Sequence, residues 1–285
     1  MTVKELLYQW LCVIKLTLNK HTYNDYLNYS NHVIDYIGDR HISGLSSSDL
    51  QQMFLQMLDD HGISYVIHAH RIFRIAIHYA LDNDILCKDI LRSVKLPKQQ
   101  KYNPVFLSPL ELKRLIKCSE DYGIYNAVIL AGCAGLRRGE CLALAVSDLD
   151  RERCLIRVSH SAEWKNGKRI ISSPKSESGN RILMVSPAFI QSLLDHTDSD
   201  YLCDYSQSVL CRRLSRCLSE NGFAHMRFHD LRHTFASLAL DAGTNIKVLQ
   251  SRMGHASIRL TLDTYAHLDV SAQAKSADLF DDFLI

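Results

Sequence analysis

The sequence predicts a mainly α-helical protein of two domains, the second of which carries a small three-stranded antiparallel sheet. Apolar residues recur at helical spacing over most of the chain. A polar, basic segment bracketed by Pro97 and Pro104 interrupts this pattern. A strong hairpin signal, Asn166-Gly167, lies among short runs of alternating hydrophobicity. With 285 residues, the chain is long enough for two hydrophobic cores.

The N-terminal domain, residues 1–96, is predicted to be a helical bundle. Thr2 and Glu5 have capping-box spacing before an apolar run that extends to Leu18. Thr22 is the expected cap of a second helix. The helices expected after the first are 22–37, 48–61, 64–81 and 88–94. The fourth helix of this domain carries a polar-basic stripe of Ile67, Arg71, Arg74 and His78.

The linker is predicted over residues 97–106 and the second domain over 107–285. Ser108 and Glu111 form a second capping box at its start. The periodicity predicts helices over 108–119, 122–130, 138–145, 187–196, 207–220, 229–242, 246–253 and from 257 onward. Gly132 and Gly135 are expected to break the chain between two of them. The strands are expected over 155–159, 168–172 and 180–185, the first two flanking the hairpin turn.

Composition limits the class of protein. No apolar run reaches the ~18 residues of a membrane helix, and no signal peptide is recognisable, so we expect a cytoplasmic protein. The nine cysteines lack zinc-ribbon spacing and are expected to be thiols. Residues 98–259 hold 23 Lys and Arg against 16 Asp and Glu. This basic centre suits a polyanionic partner, although a merely solvated charged surface has the same composition.

His229, Arg232 and His233 share one face at the start of a predicted helix. Free backbone N–H groups and the helix dipole favour an anion there, so the three side chains form a candidate phosphate site. Histidines four apart also occur in zinc sites, but the glutamate that such sites use as a base is absent here. An ordinary helix start with partly buried histidines is the remaining alternative.

Three further segments carry candidate chemistry. A glycine-bearing turn places Arg137 at another helix start, where Glu140 is expected to orient a guanidinium. Lys175 lies on a polar turn between the second and third strands. His255 lies in a turn after Gly254, and Tyr265 about two helical turns further on. Each segment alone is weak, because most loop lysines are solvated and most tyrosines are packing residues.

Taken together, these segments resemble the tyrosine recombinases, also called the phage integrase family. The matching motifs, in order, are Gly135-Leu136-Arg137, Lys175 on a β-turn, His229-x-x-Arg232-His233-Thr234, Gly254-His255-x-Ser257-Ile258 and Tyr265. The motifs span the second domain, and the first domain resembles the family's SAM-like core-binding domain.

The resemblance implies a role for each residue. Arg137 and Arg232 would bind the non-bridging oxygens of a scissile phosphate, with His255 as a further donor. His229 would take the tyrosine proton or hold the phosphate. Tyr265 would attack phosphorus to give a 3′-phosphotyrosine, and Lys175 would protonate the leaving 5′-oxygen. The resemblance implies no cofactor and no metal.

The stretches 10–54 and 262–268 resemble the integrases of conjugative transposons and phages that lack an arm-binding domain. We therefore expect integration or excision of a mobile element; a Xer-like resolvase or a DNA invertase is the rival within the family. A type IB topoisomerase and a DNA-binding regulator without catalysis are the alternatives outside it.

The expected partners are double-stranded DNA with inverted-repeat core sites, and further copies of the chain. These copies are expected to form a dimer on a site and a tetramer in the synapse. An excisionase or other directionality factor is a further expected partner. The expected location is bacterial and nucleoid-associated.

The last residues, 277–285, place Leu279, Phe280, Phe283 and Leu284 on one apolar stripe of a predicted helix. One interpretation is that this tail folds back and packs on its own domain. In the resembling family the C-terminal helix instead docks on a neighbouring protomer, which closes a ring when the rotation allows.

Overall fold

A computed structural model describes residues 1–99, 102–173 and 179–254. The chain divides into two compact units, the first comprising Met1–Tyr102 and the second beginning at Asn103. The division lies within the predicted linker. Each unit has a hydrophobic core of its own. In the part of the chain described, no helix is both long and apolar enough to cross a membrane.

The first unit is a bundle of four helices. They are α1 Val3–Ile14, α2 Lys20–Ile37, α3 Ser47–Asp60 and α4 Ile63–Asp82. Trp10, Phe54 and Phe73 are fully buried between them. Thr2 and Glu5 form the predicted capping box of α1, with Glu5 accepting from the Thr2 amide at 2.8 Å. The outer face of α4 leaves Arg71, Arg74 and His78 exposed.

Two local predictions for this unit are wrong. The cap of α2 is Asn19, whose side chain accepts from the Thr22 amide at 2.9 Å, so Thr22 lies inside the helix. Residues 88–94 form turns rather than a helix. The Asp89 carboxylate accepts from the Leu91 amide at 2.8 Å, and such a side-chain bond competes with the helical hydrogen bonds of the first turn.

The described part of the second unit is mainly helical. Its helices are α5 Pro109–Ser119, α6 Tyr125–Ala134, α7 Arg138–Ala143, α8 Pro187–Asp195, α9 Gln207–Glu220, α10 Phe228–Asp241 and α11 Ile246–Met253. Of these, α5, α7 and α10 pack against α6. Most residues of α6 are buried, which explains why its sequence shows no amphipathic pattern. Gly132 does not break α6; a Cβ there would lie 2.9 Å from Leu112 Cδ1, so the glycine allows α5 to pack closely. The helix ends at Gly135, which adopts the left-handed conformation.

The strands differ from the prediction in their pairing. They are β1 Leu149–Asp150, β2 Leu155–Val158, β3 Ser161–Lys165, β4 Lys168–Ser172 and β5 Arg181–Met184. The antiparallel three-stranded sheet has the order β1-β2-β5, and Asn166-Gly167 joins β3 and β4 in a separate hairpin. A two-residue turn pairs the residues that directly adjoin it, here Lys165 with Lys168, so the strand over 155–158 could not be the hairpin partner.

Several predictions lie outside the described residues. They concern Lys175 on its turn, His255, the helix expected from residue 257 with Tyr265, and the apolar tail 277–285.

We predict that Gly135→Ala destabilises the second unit by about 2–4 kcal/mol. A side chain in the left-handed region costs on the order of 1 kcal/mol, and the new Cβ would lie 2.5 Å from Phe235 Cδ1, an overpacking that costs roughly 1–3 kcal/mol more. Urea unfolding followed by circular dichroism measures the change.

Gly167→Ala is the matched control, since Gly167 also has a positive φ of 74° but faces open space. Its cost should be only about 1 kcal/mol. Equal losses in the two variants would contradict the packing argument.

Candidate active site

The Glu140 carboxylate is the centre of the candidate site. Its side chain is only 7% exposed. It accepts from the Arg137 amide and from Arg137 Nη1, both at 2.8 Å, and from Arg181 Nη1 and Nη2 at 3.0 and 2.8 Å. Arg232 Nη1 lies 4.0 Å from Glu140 Oε2. Burial raises the pKa of Glu140, but the bonds and charges of Arg181 and Arg137 outweigh it and hold that pKa below its ordinary value. Glu140 therefore orients a guanidinium, as the sequence predicted.

Three different elements bring these side chains together. The left-handed Gly135 turns the chain at the end of α6, and Arg137 follows it in an extended conformation before α7. Arg232 lies on α10, the helix that packs most extensively against α6. Arg181 is the first residue of β5.

Arg232 is almost completely buried, with 1% of its side chain exposed. Its guanidinium donates to the carbonyl oxygens of Gly135 and Met253. One cation thus joins the end of α6 to the end of α11. The turn that positions Arg137 and the last residues of α11 are fixed by the same group.

The carbonyls at the C-terminus of α11 each accept from a different arginine. Arg181 Nε donates to Arg252 O at 2.6 Å, Arg232 Nη2 to Met253 O, and Arg137 Nη2 to Gly254 O at 2.7 Å. The C-terminus of a helix carries partial negative charge, so cations stabilise it. The residue after this triple cap is His255.

The cluster has an excess of positive charge. Arg137, Arg181 and Arg232 contribute three guanidinium charges against the single carboxylate of Glu140. The Arg252 side chain adds a fourth cation nearby, and burial together with the positive charge of Arg181 lowers the pKa of Arg252. An anion is therefore the ligand that this arrangement favours, and planar guanidinium groups match the oxygens of a phosphate.

His229 and His233 stand on α10 beside the arginines. Their rings are 4.9 Å apart and nearly perpendicular. Burial, followed by the charges of His233, Arg232 and Arg137, lowers the pKa of His229 to about 4. Burial also lowers the pKa of His233. His229 is therefore neutral near pH 7, with a ring nitrogen able to accept a proton or a hydrogen bond.

The zinc alternative receives no support from the described part of the chain. There, no three His, Cys, Asp or Glu side chains gather as metal ligands would. The Asp230 carboxylate accepts from the Arg227 amide at 2.8 Å and so caps α10.

Of the six residues predicted for the site, the described residues contain three. Arg137, His229 and Arg232 lie around one buried charge cluster. Lys175, His255 and Tyr265 lie outside the described residues, although Gly254, which directly precedes His255, is bonded to Arg137. Sequence reasoning gave Arg181 no role. Its signal is that Arg181 and Leu183 share the inward face of β5, where an arginine needs a partner.

Comparison with known proteins gives matches over both units. Residues 106–272 match the phage integrase family, and residues 2–58 match the phage integrase N-terminal SAM-like domain. The ICEBs1 integrase of Bacillus subtilis (strain 168) is 25% identical over 87% of this chain and 76% of its own length. A XerC-like tyrosine recombinase of Caldanaerobacter subterraneus is 22% identical over 100% and 84%.

The fold is that of a solved integrase. The Tn1549 transposon integrase, residues 82–397, in complex with circular intermediate DNA, superposes with a TM-score of 0.78 at 22% identity. The superposition covers 98% of this chain and 100% of that one. The family match itself extends over more than half of the chain and includes the arginine cluster. The chain therefore belongs to the phage integrase family and is a tyrosine-type site-specific DNA recombinase.

Proposed function

We propose that this recombinase integrates and excises a mobile DNA element, with Tyr265 as the nucleophile and Arg137 and Arg232 as the phosphate-binding residues. The observation that carries the proposal is the meeting of these two guanidinium groups at Glu140, beside a neutral His229 and directly before the segment that holds His255 and Tyr265. The likeness to the ICEBs1 integrase supports the mobile-element assignment.

The reaction is a pair of transesterifications. Tyr265 Oη attacks the scissile phosphorus and passes its proton to His229. The bond from phosphorus to the 5′-oxygen breaks, and Lys175 protonates that oxygen to leave a free 5′-hydroxyl. A 5′-hydroxyl of the partner strand then attacks the 3′-phosphotyrosine and releases Tyr265. Each step exchanges one phosphoester for another, so no ATP is needed, and the cations of the protein take the place of an added metal ion.

The charge of the cluster fits this chemistry. A bound phosphodiester brings one negative charge, and the transition state brings a second. Guanidinium groups remain protonated throughout and counter both charges, and Arg232 does so from an almost completely buried position. His255 is proposed as a further donor to the same phosphate.

The proposed partners are DNA and further copies of the chain. The predicted domain 107–285 would carry the catalytic site, and the predicted domain 1–96 would bind the core site as a core-binding domain. Its exposed Arg71, Arg74 and His78 on α4 suit contact with a phosphate backbone. A dimer on each inverted-repeat site and a tetramer in the synapse would pair two sites, with an excisionase or another factor setting the direction.

The XerC-like relative, matched over the whole chain, favours one second candidate: a two-site resolvase or invertase. Recombination assays on plasmids with paired sites distinguish the two. Strand exchange between unlike attachment sites supports an integrase. Exchange confined to two identical sites supports a resolvase or invertase.

Tyr265→Phe should abolish covalent attachment to DNA and leave half-site binding nearly unchanged, because it removes only the nucleophilic oxygen. The substrate is a nicked duplex whose short 5′-hydroxyl fragment diffuses away, so the adduct accumulates and is counted on a denaturing gel. EDTA is present throughout, because protein cations meet the phosphate charge. An adduct formed by the variant, or a strict need for Mg²⁺ in the wild type, would refute the proposal.

Lys175→Ala should slow cleavage roughly a hundredfold to ten-thousandfold, the range of general acid catalysis. A substrate with sulfur in place of the scissile 5′-oxygen needs no proton to leave, so it should restore most of the rate. Single-turnover rates on the two substrates give the comparison. Equal defects on both would remove Lys175 from the general-acid role.

Deleting residues 278–285 should spare binding to a single half-site and weaken cooperative binding to paired half-sites. The apolar stripe of the tail would otherwise dock on a neighbouring protomer. Gel-shift titrations with half and full sites measure the cooperativity, and replacing Asp278 alone by Asn is the control that keeps the stripe. Unchanged cooperativity in the truncated chain would support the fold-back interpretation.

A further inference from the structure

Arg181 has the contacts of a group that links two parts of the site. Its side chain is 6% exposed. Its Nη1 and Nη2 each donate to one oxygen of the Glu140 carboxylate. Nη1 also donates to Gly179 O at 3.3 Å, and Nε donates to Arg252 O at 2.6 Å. These donors all serve the protein, which leaves Arg181 unsuited to contact DNA itself.

The link between β5 and α11 is reciprocal. Arg181 of β5 donates to the carbonyl of Arg252, and Arg252 Nη1 donates to the carbonyl of Met184 in β5 at 3.1 Å. The end of α11 is thus attached to the sheet by two arginines that point in opposite directions. The sheet in turn is fixed by the pairing of β5 with β2.

Arg181 differs from the other two arginines of the cluster because it is not proposed to bind the phosphate. Under the proposed function, Arg137 and Arg232 donate to phosphate oxygens, so their bonds to Gly254 O and Met253 O compete with the DNA. Arg181 has no such second task. It is the arginine that would hold the end of α11 to Glu140 while the other two engage DNA.

We propose that Arg181 is a positioning residue for strand transfer: it holds the Glu140 carboxylate and the C-terminus of α11 together, and so keeps Arg137 in register with the segment that follows Gly254. The proposal rests on the proposed roles of Arg137 and Tyr265. It assigns to Arg181 no contact with the substrate, and the rate of cleavage depends on it through the Glu140 carboxylate and the end of α11, which it holds.

The test uses the full chain with Arg181→Ala and Arg181→Lys, and measures single-turnover cleavage of the nicked substrate. A misplacement of about 1 Å can cost roughly a hundredfold in rate, so the rate constant of Arg181→Ala should fall by about that factor, while half-site affinity stays unchanged. Arg181→Lys keeps the charge but not the fork, so it should remain well below the wild type. Added methylguanidinium should raise the rate constant of Arg181→Ala.

Arg169→Ala is the matched control. Arg169 is also nearly buried, with 10% of its side chain exposed, and its Nη2 lies 2.8 Å from Asp204 Oδ1. Its guanidinium carbon lies 3.7 Å from the centroid of the Tyr201 ring. In the described residues, no hydrogen bond or ion pair joins it to Glu140. Its loss should lower stability and the fraction of active enzyme, seen as a smaller reaction amplitude, but not the rate constant. Methylguanidinium should not change its rate constant.

Hydrogen exchange of α11 is measured on the same proteins and does not depend on cleavage. Amides at the end of α11 should exchange faster in Arg181→Ala than in Arg169→Ala. Unchanged exchange there overturns the proposal, and so does a wild-type rate constant in Arg181→Ala. Failure of the proposed function is distinct, because it appears with the wild-type arginine in place, as adduct formation by Tyr265→Phe.

Discussion

The ionised Glu140 carboxylate is the constraint on which the second unit depends. It is buried, and an uncompensated buried carboxylate costs far more than folding can supply. Arg137 and Arg181 compensate it directly, and Arg232 lies at the edge of the same charge. These arginines would repel one another without Glu140. The carboxylate therefore explains how α7, β5 and α10 can meet around so much positive charge.

The surplus positive charge of the arginine cluster favours an anionic ligand. Arg137, Arg181 and Arg232 each donate to one carbonyl at the C-terminus of α11, and these carbonyls are weak, partial negative charges. A phosphate is a stronger acceptor with a full charge. Under the proposed function, DNA takes over the donors of Arg137 and Arg232, and the α11 segment remains attached through Arg181. The described contacts hold the arginines of the cluster and the end of α11 together without a bound anion.

Local signals in the sequence predict most of the helices. They also predict those residues of the arginine cluster that belong to a sequence motif. Capping boxes at Thr2 and Ser108 placed two helix starts correctly, because the caps are contacts within one turn of the chain. The predicted mainly helical fold and the predicted membership of the phage integrase family are both confirmed. The motif match also selected Arg137, His229 and Arg232, which the fold does bring together.

The errors arise where distant residues decide. The strand Ser161–Lys165 has no strong β pattern and is fixed by pairing with β4, so the sequence assigned the hairpin to β2 instead. Residues 88–94 have helical periodicity, but the Asp89 side chain and burial of Leu91 favour a turn. Arg181 lies inside the predicted strand 180–185 with no role assigned to it, since only the tertiary structure places Glu140 and Arg252 O beside it. Periodicity cannot report a contact between residues 41 positions apart.

The structure of the protein trapped covalently on the nicked DNA substrate tests the proposed roles of Tyr265, Arg137 and Arg232 most directly. We expect a phosphate bonded to Tyr265 Oη, with Arg137 and Arg232 on its non-bridging oxygens and the Glu140–Arg181 pair intact beneath them. A phosphate joined to another residue would contradict it. So would a complex in which Arg137 and Arg232 still bind the carbonyls of Gly254 and Met253 and leave the phosphate to other cations.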